Sequence, residues 1–64
     1  MKDQVQYLTE QEVSVITHRA LSTLRNDRFN RRGISYCKVG KSVRYSLGDV
    51  IVFMESRRIE TRPL

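Results

Sequence analysis

Most of the positive charge of this chain lies in one segment. Arg19 to Arg44 contains eight of the twelve lysine and arginine residues and one acidic residue, Asp27, which gives a net charge of +7. The other residues include four basic and six acidic side chains, a net charge of −2. Guanidinium and ammonium groups at this density attract phosphates. The distribution therefore predicts an anionic partner for this segment, and nucleic acid suits it better than a membrane surface.

The start of this segment also has the residue types that can read base edges. Ala20, Leu21 and Leu24 recur at the spacing of one apolar helix face. At 100° per residue the opposite face holds hydrogen-bonding side chains, namely Ser22, Thr23, Arg25 and Asn26, together with Phe29. Arginine can bind guanine, and asparagine adenine, through two hydrogen bonds in the major groove. We therefore expect this helix to recognise a specific base sequence in the major groove of DNA.

The remaining basic residues of the segment suit phosphates better than bases. Phosphate contacts orient a protein on the duplex without specifying its sequence. We expect this role for residues in the turn before the helix, at its end and in the loop that follows, namely Arg19, Arg28, Arg31 and Arg32. Residues of a predicted hairpin should follow a groove edge or enter the minor groove, where arginine is favoured: Lys38, Lys41 and Arg44.

A first helix over about residues 10–16 precedes this reading helix. Thr9 and Glu12 have the spacing of a capping box, and Leu8 and Val13 that of a hydrophobic staple. Ile16 and Thr17 continue the helical spacing after Val13. The gap to the next helix is so short, about residues 17–19, that the two resemble a helix-turn-helix. His18 then lies in the bend, where glycine is commoner; histidine tolerates a left-handed conformation better than most residues.

Residues 30–35 read as a loop with its flexible point at Gly33, and a β-hairpin follows, with strands over 36–39 and 43–45. A three-residue loop would oppose Val39 to Val43 and Cys37 to Tyr45. That register places four apolar side chains on one face and the basic ones on the other, and we favour it. A two-residue loop, Gly40-Lys41, suits a type II′ turn better but mixes apolar and basic residues on both faces.

A third helix should begin after Ser46, with Asp49 completing a weaker capping box. Its predicted apolar stripe comprises Leu47, Val50, Ile51 and Met54, with Phe53 beside the stripe and Val52 pointing away from it. Pro63 marks the expected end of regular structure.

The whole chain sets further limits. Its 64 residues suit one domain, 1–64, with a core over about 7–58. Cys37, the single cysteine, cannot form an internal disulfide and should be a small core residue. With His18 it provides too few ligands for zinc, so we expect no metal and no cofactor. No apolar run approaches the roughly 18 residues of a membrane span. The N-terminus lacks the features of a signal peptide, so we expect a cytoplasmic protein.

The order helix, turn, helix, two-stranded wing, helix, together with four short motifs, resembles the excisionase-like and AlpA-like proteins, which are small MerR-type winged-helix DNA binders. The motifs are Leu8-Thr9-x-x-Glu12-Val13, Thr23-Leu24-Arg25, Lys38-Val39-Gly40-Lys41-x-Val43-Arg44-Tyr45 and Asp49-Val50. The resemblance covers roughly residues 7–58. The family usually has glycine where this chain has His18, and many members have an aromatic residue where it has Asp27.

The resemblance implies a sequence-specific binder of double-stranded DNA that is mainly α with a small β-hairpin and has no catalytic activity. Its role would be that of an excisionase, which directs an integrase or recombinase, or that of a small transcription regulator of a mobile element. One such unit buries little DNA surface, so we expect cooperative binding by several copies or with a partner protein.

Three other functions are compatible with parts of the sequence. The basic face could bind an acidic protein, as in an antitoxin-like or adaptor module. Tyr36, Tyr45 and Phe29 could stack on single-stranded nucleic acid. An enzyme is the weakest alternative, because the sequence has no phosphate-binding glycine loop and no catalytic triad.

Overall fold

Side-chain caps fix where two of the three helices begin in the computed structural model, which describes residues 6–61. Helix α1 (Glu10–Thr17) has the expected capping box: Glu12 N–H donates to Thr9 Oγ1 at 3.1 Å, and Thr9 N–H donates to Glu12 Oε1 at 2.8 Å. Helix α3 (Leu47–Ser56) starts where Asp49 N–H donates to Ser46 Oγ at 3.0 Å. Both starts agree with the sequence prediction, since caps depend only on residues three apart.

The chain passes from α1 to α2 (Leu21–Phe29) in a tight turn. His18 has φ 58°, the left-handed conformation expected for the bend. Ser14 Oγ donates to the carbonyl oxygen of Arg19 at 2.6 Å, and Thr17 Oγ1 donates to that of Val13 at 2.7 Å. These local hydrogen bonds hold the turn in place of the glycine that is commoner there.

The sheet contains three antiparallel strands in the order β1-β3-β2: β1 is Tyr7–Leu8, β2 is Cys37–Val39 and β3 is Ser42–Ser46. The domain is thus a small mixed α/β unit with three helices. The sequence leaves open whether residues 1–7 form an extended strand or stay loose. Tyr7 and Leu8 form β1, in which Leu8 pairs with Tyr45. Residues 1–5 and Pro63 lie outside the described range.

The favoured hairpin register is wrong. Val39 pairs with Ser42, and Lys38 pairs with Val43, so the loop is Gly40-Lys41. Gly40 has φ 61°, which fits the first central position of a type II′ turn. All three residues of β2 are exposed, so burial of apolar side chains does not select the register and the turn preference of Gly40-Lys41 prevails. Cys37 is exposed rather than part of the core.

Among residues 6–61, seven buried apolar residues form the core. They come from every element except β2 and from the loop before β2: Leu8, Val13, Leu24, Ile34, Tyr45, Val50 and Phe53. Ile16, on α1, is 49% exposed. The predicted apolar stripe of α3 is wrong in part. On α3 the buried positions are Val50 and Phe53, while Ile51 and Met54 are exposed. Val52 is exposed, as expected.

Candidate nucleic-acid interface

One face of α2 is covered by the core, and the other carries exposed hydrogen-bonding side chains. Leu24 is 3% exposed and anchors the inner face. The outer face, which we call the α2 face, carries four residues that are all exposed: Ser22, Thr23, Arg25 and Asn26. The sequence predicted this division, since the burial of Leu24 fixes by helical geometry which residues point outward.

A cluster of two arginines and one aspartate lies at one side of the α2 face. Arg19 Nη2 is 2.7 Å from Asp27 Oδ2, and Arg32 Nε is 3.1 Å from Asp27 Oδ1. With Ser22, Thr23 and Asn26, these three side chains line one open depression on the surface. We call Arg19, Asp27 and Arg32 the Asp27 cluster; it gathers two predicted phosphate-binding residues beside three predicted base-reading ones.

The Asp27 cluster is attached to the core through aromatic and backbone contacts. The guanidinium carbon of Arg19 lies 5.3 Å from the centre of the Phe53 ring, and that of Arg57 lies 4.5 Å from it. Arg32 N–H donates to the Asp27 carbonyl oxygen at 2.9 Å. In the sequence Asp27 was notable only as a departure from a family pattern, and no local signal identified it as a partner for two arginines.

A second cluster joins α1, α2 and β3. Glu10 accepts hydrogen bonds from Arg25 Nη2 at 2.6 Å, from Arg25 Nε at 3.2 Å to either carboxylate oxygen, and from Arg28 Nη1 at 3.2 Å. Arg28 Nη1 also donates to Tyr45 Oη at 2.9 Å. We call Glu10, Arg25, Arg28 and Tyr45 the Glu10 cluster. Glu10 lies in the first turn of α1, and the sequence alone identified neither arginine as its partner.

The electrostatics of the Glu10 cluster follow from these hydrogen bonds. The hydrogen bonds from Arg25 have the largest effect and lower the pKa of Glu10. Burial opposes this shift, and the hydrogen bond from Arg28 lowers the pKa further. The hydrogen bond with Glu10 raises the pKa of Arg25. Burial alone would lower the pKa of Arg28, but its hydrogen bonds with Tyr45 and Glu10 raise it. The carboxylate and both guanidinium groups are therefore firmly charged at neutral pH.

The hairpin carries its basic residues on two faces, not on one. In the observed register Lys38 lies opposite Val43, whereas Arg44 lies opposite Cys37. The prediction that Lys38 and Arg44 share a face is therefore wrong, because the shift by one residue reverses one strand relative to the other. Both Lys38 and Lys41 are exposed.

Two of the hairpin residues nevertheless meet the Glu10 cluster. Lys41 and Arg44 line an open groove with Glu10 and Arg28, together with Thr9, Gln11, Ser42 and Val43. The groove runs between the start of α1 and the hairpin. The hairpin and α2 thus contribute basic side chains to one continuous region.

Arg31 and two of the three rings considered for stacking, Phe29 and Tyr36, lie outside these two clusters. Arg31 is exposed with φ 57°, next to the loop that leads to the hairpin. Phe29 is 84% exposed, whereas Tyr45 is 1% exposed and cannot serve as a stacking platform. Tyr36 is 41% exposed, with its ring centre 6.2 Å from that of Tyr45. Single-strand stacking by all three rings is therefore incompatible with the fold.

No cluster of potential metal ligands is present among the described residues. Within residues 6–61, no three histidine, cysteine, aspartate or glutamate side chains come together as metal ligands would. In the same range, none of the helices has the length and hydrophobicity needed to cross a bilayer.

Comparisons with protein-family models, with curated proteins and with solved structures found no match to this chain. The resemblance to excisionase-like and AlpA-like proteins therefore stays a prediction from the sequence motifs. The features of the molecule that bear on its function are the α2 face, the Asp27 cluster, the Glu10 cluster and the β2–β3 hairpin.

Proposed function

We propose that this chain is a sequence-specific, non-catalytic binder of double-stranded DNA with the winged helix-turn-helix architecture of excisionase-like and AlpA-like proteins. In this proposal α2 is the recognition helix in the major groove, and the β2–β3 hairpin is the wing on the backbone or in the minor groove. The protein would act as an excisionase, together with an integrase or recombinase, or as a small transcription regulator.

The main support is the position of the α2 face between two groups of basic side chains. On one side lie Arg19 and Arg32 of the Asp27 cluster, and on the other lie Arg28, Lys41 and Arg44. Hydrogen-bonding side chains on an exposed helix, with cations on both sides, suit base edges between two phosphate backbones.

A helix held on the core at its inner face can enter a groove as a rigid body. Leu24 fixes the inner face of α2, and the turn at His18 fixes the angle at which it leaves α1. The loop after α2 is fixed as well, because Arg32 N–H is bonded to the Asp27 carbonyl oxygen. A rigid recognition helix loses little conformational entropy on binding, which favours specific recognition.

A salt titration and a selection from randomised duplex DNA test this proposal together. Five or so phosphate contacts predict a log–log slope of about −4 to −5 for the binding constant against salt. Arg25→Ala should remove a base preference from the selected sequences. Arg44→Ala should instead weaken binding to selected and scrambled duplexes alike, since backbone contacts carry no sequence information.

Arg58→Ala is the matched control for the loss of one positive charge. Arg58 lies beyond the end of α3, where it pairs with Glu55 at 3.4 Å and Glu60 at 3.5 Å, and it lines neither depression beside the α2 face. Its removal should change binding less than removal of Arg44. Absence of any duplex binding at low salt would refute the proposal.

A protein-interaction module is the second candidate, and the exposure of Phe29 favours it. Phe29 follows Arg25 by four residues on the outer side of α2, and an aromatic beside arginine is enriched at protein interfaces. An acidic protein partner would then bind the same basic region. Competition by unrelated duplex DNA separates the two candidates: a DNA-binding protein releases the acidic protein when duplex is added, whereas a protein-interaction module keeps it bound.

A further inference from the structure

The hydrogen bonds between Glu10 and Arg25 use only one edge of the guanidinium group. Glu10 contacts Nε and Nη2 of Arg25. Arg25 Nη1 makes no hydrogen bond to a residue in the range 6–61, and the side chain is 54% exposed. The free edge, formed by Nη1 and the second N–H of Nη2, is the pair of donors that can reach O6 and N7 of a guanine.

Glu10 is itself held in position from the core outward. Its side chain is only 18% exposed, and Arg28 Nη1 links one of its oxygens to the buried Tyr45 hydroxyl. Arg28 is further restrained by the Tyr36 ring, whose centre lies 5.7 Å from the guanidinium carbon. A chain of hydrogen bonds thus runs from Tyr45 through Arg28 and Glu10 to Arg25.

We infer that Glu10 is a positioning residue for base recognition by Arg25, an inference that rests on the proposed DNA-binding function. Glu10 fixes the Nε edge of Arg25 and directs the free edge toward a guanine in the major groove. A flexible arginine binds any nearby acceptor, including a phosphate, whereas a fixed one discriminates between bases because its donors cannot follow a different acceptor pattern.

The Glu10 carboxylate also lowers the affinity of the protein for DNA. A negative charge close to the DNA backbone weakens binding to every sequence. Glu10 is therefore expected to lower affinity for random DNA while raising the preference for one guanine. The opposite possibility is a latch, in which Glu10 occupies Arg25 and must release it before any DNA binds.

The test measures base preference and affinity separately, with variants that alter Glu10 alone. The probe is a pool of duplexes with a randomised core, selected by binding and sequenced, followed by Kd values for one selected and one scrambled duplex. Glu10→Gln should reduce the preference for guanine at the position that Arg25→Ala also affects, by about fivefold to tenfold, within the range of one bidentate contact. It should also tighten binding to the scrambled duplex.

Glu12→Gln is the matched control. It removes the same charge from the same helix, and a glutamine in its place still accepts the hydrogen bond from Thr9 N–H. This variant should tighten binding to both duplexes and leave the guanine preference intact. Glu10→Asp provides a second variant that keeps the charge but withdraws the carboxylate by one methylene; it should lower the guanine preference without tightening binding to scrambled DNA.

A double variant shows whether Glu10 acts through Arg25. In the Arg25→Ala background, Glu10→Gln should produce no further loss of base preference. A merely structural role of Glu10 would instead weaken binding to both duplexes to the same extent, without changing which bases are selected.

Each contrary result has a separate meaning. If Arg25→Ala removes the guanine preference but Glu10→Gln does not, the positioning role is refuted and the proposed function stands. If Glu10→Gln sharpens the preference, Glu10 is a latch and the inference is refuted. If the wild-type protein binds no duplex, both the inference and the proposed function fail.

Discussion

Glu10 shows how one residue connects stability with the candidate site. Its carboxylate receives both Arg25 and Arg28, and these hydrogen bonds lower its pKa in the folded protein. A lowered pKa contributes stability above the pKa of the unfolded chain, about 4.3 for glutamate, and that stability is lost as the pH falls through the folded value.

We therefore expect Glu10→Gln to lower the melting temperature at pH 7 and to have progressively less effect as the pH falls below about 4. Thermal unfolding of both proteins across this range measures the difference. A difference in melting temperature between wild type and Glu10→Gln that stays constant with pH would mean that the Glu10 charge does not stabilise the fold. Glu12→Gln, which keeps its cap, should show a smaller gap at pH 7.

Gly33 is the second residue whose role depends on its surroundings. Its φ is 86°, and a Cβ at this position would lie 2.9 Å from Cβ of Asp27. Alanine would both strain the backbone and displace the carboxylate that holds Arg19 and Arg32.

We expect Gly33→Ala to reduce the free energy of unfolding by about 1–3 kcal/mol, from backbone strain and the steric contact. Gly40→Ala should cost less, since Gly40 has φ 61° but no atom within 4 Å of the added Cβ. Replacing Gly48, which lies in α3, with alanine should raise the free energy of unfolding by about 0.5–1 kcal/mol. Urea unfolding of the three variants tests this order, and equal losses at Gly33 and Gly40 would contradict the role of Asp27.

At the scale of elements, α3 shows that a stripe of apolar residues does not by itself decide which side is buried. Val50 is 1% exposed and Val52 is 67% exposed, although they are two residues apart on the same helix. The sequence prediction placed Val52 correctly but rotated the buried stripe toward Ile51 and Met54. Every residue from Val50 to Met54 is apolar, so helical periodicity discriminates weakly between the possible buried faces.

Val50→Ala and Val52→Ala form a matched pair for this assignment. We expect Val50→Ala to lower the free energy of unfolding by about 2 kcal/mol, from lost burial and the cavity that remains. Val52→Ala should change it by less than about 0.5 kcal/mol. Similar losses in urea unfolding would mean that α3 packs on a different face.

The whole molecule is small, and its core comprises seven buried apolar residues among those described. A chain of 64 residues buries only about 60% of its unfolded surface, so its stability margin is narrow. Its net charge of +5 adds self-repulsion that a polyanion would relieve. Binding to DNA should therefore have a visible effect on stability.

We expect duplex DNA to raise the melting temperature, with about 2.7 kcal/mol of stabilisation when free DNA is present at 100 times Kd. The rise should shrink as salt increases, because counterion release provides much of the binding free energy. Thermal scans at several salt concentrations, with Arg44→Ala and Arg58→Ala as charge variants, measure this. A melting temperature that is indifferent to DNA would contradict binding to the folded domain.

Local features of the sequence determined the caps of α1 and α3, the left-handed bend at His18 and the outward face of α2. Each depends on residues three or four apart, or on the conformational preference of one residue, so it can be derived without knowing the fold. The concentration of positive charge between Arg19 and Arg44 is likewise a property of the sequence alone.

Only the tertiary structure decided the hairpin register, the buried side of α3 and the partners of the arginines. Two registers were open, and the apolar pattern could not select between them because all three residues of β2 are exposed in the fold. Glu10 meets Arg25 and Arg28 across 15 and 18 residues of chain, and Asp27 meets Arg19 across eight. No periodicity links such positions; they meet because the core brings α1, α2 and the sheet together, and packing selects among alternatives that local sequence leaves nearly equal in energy.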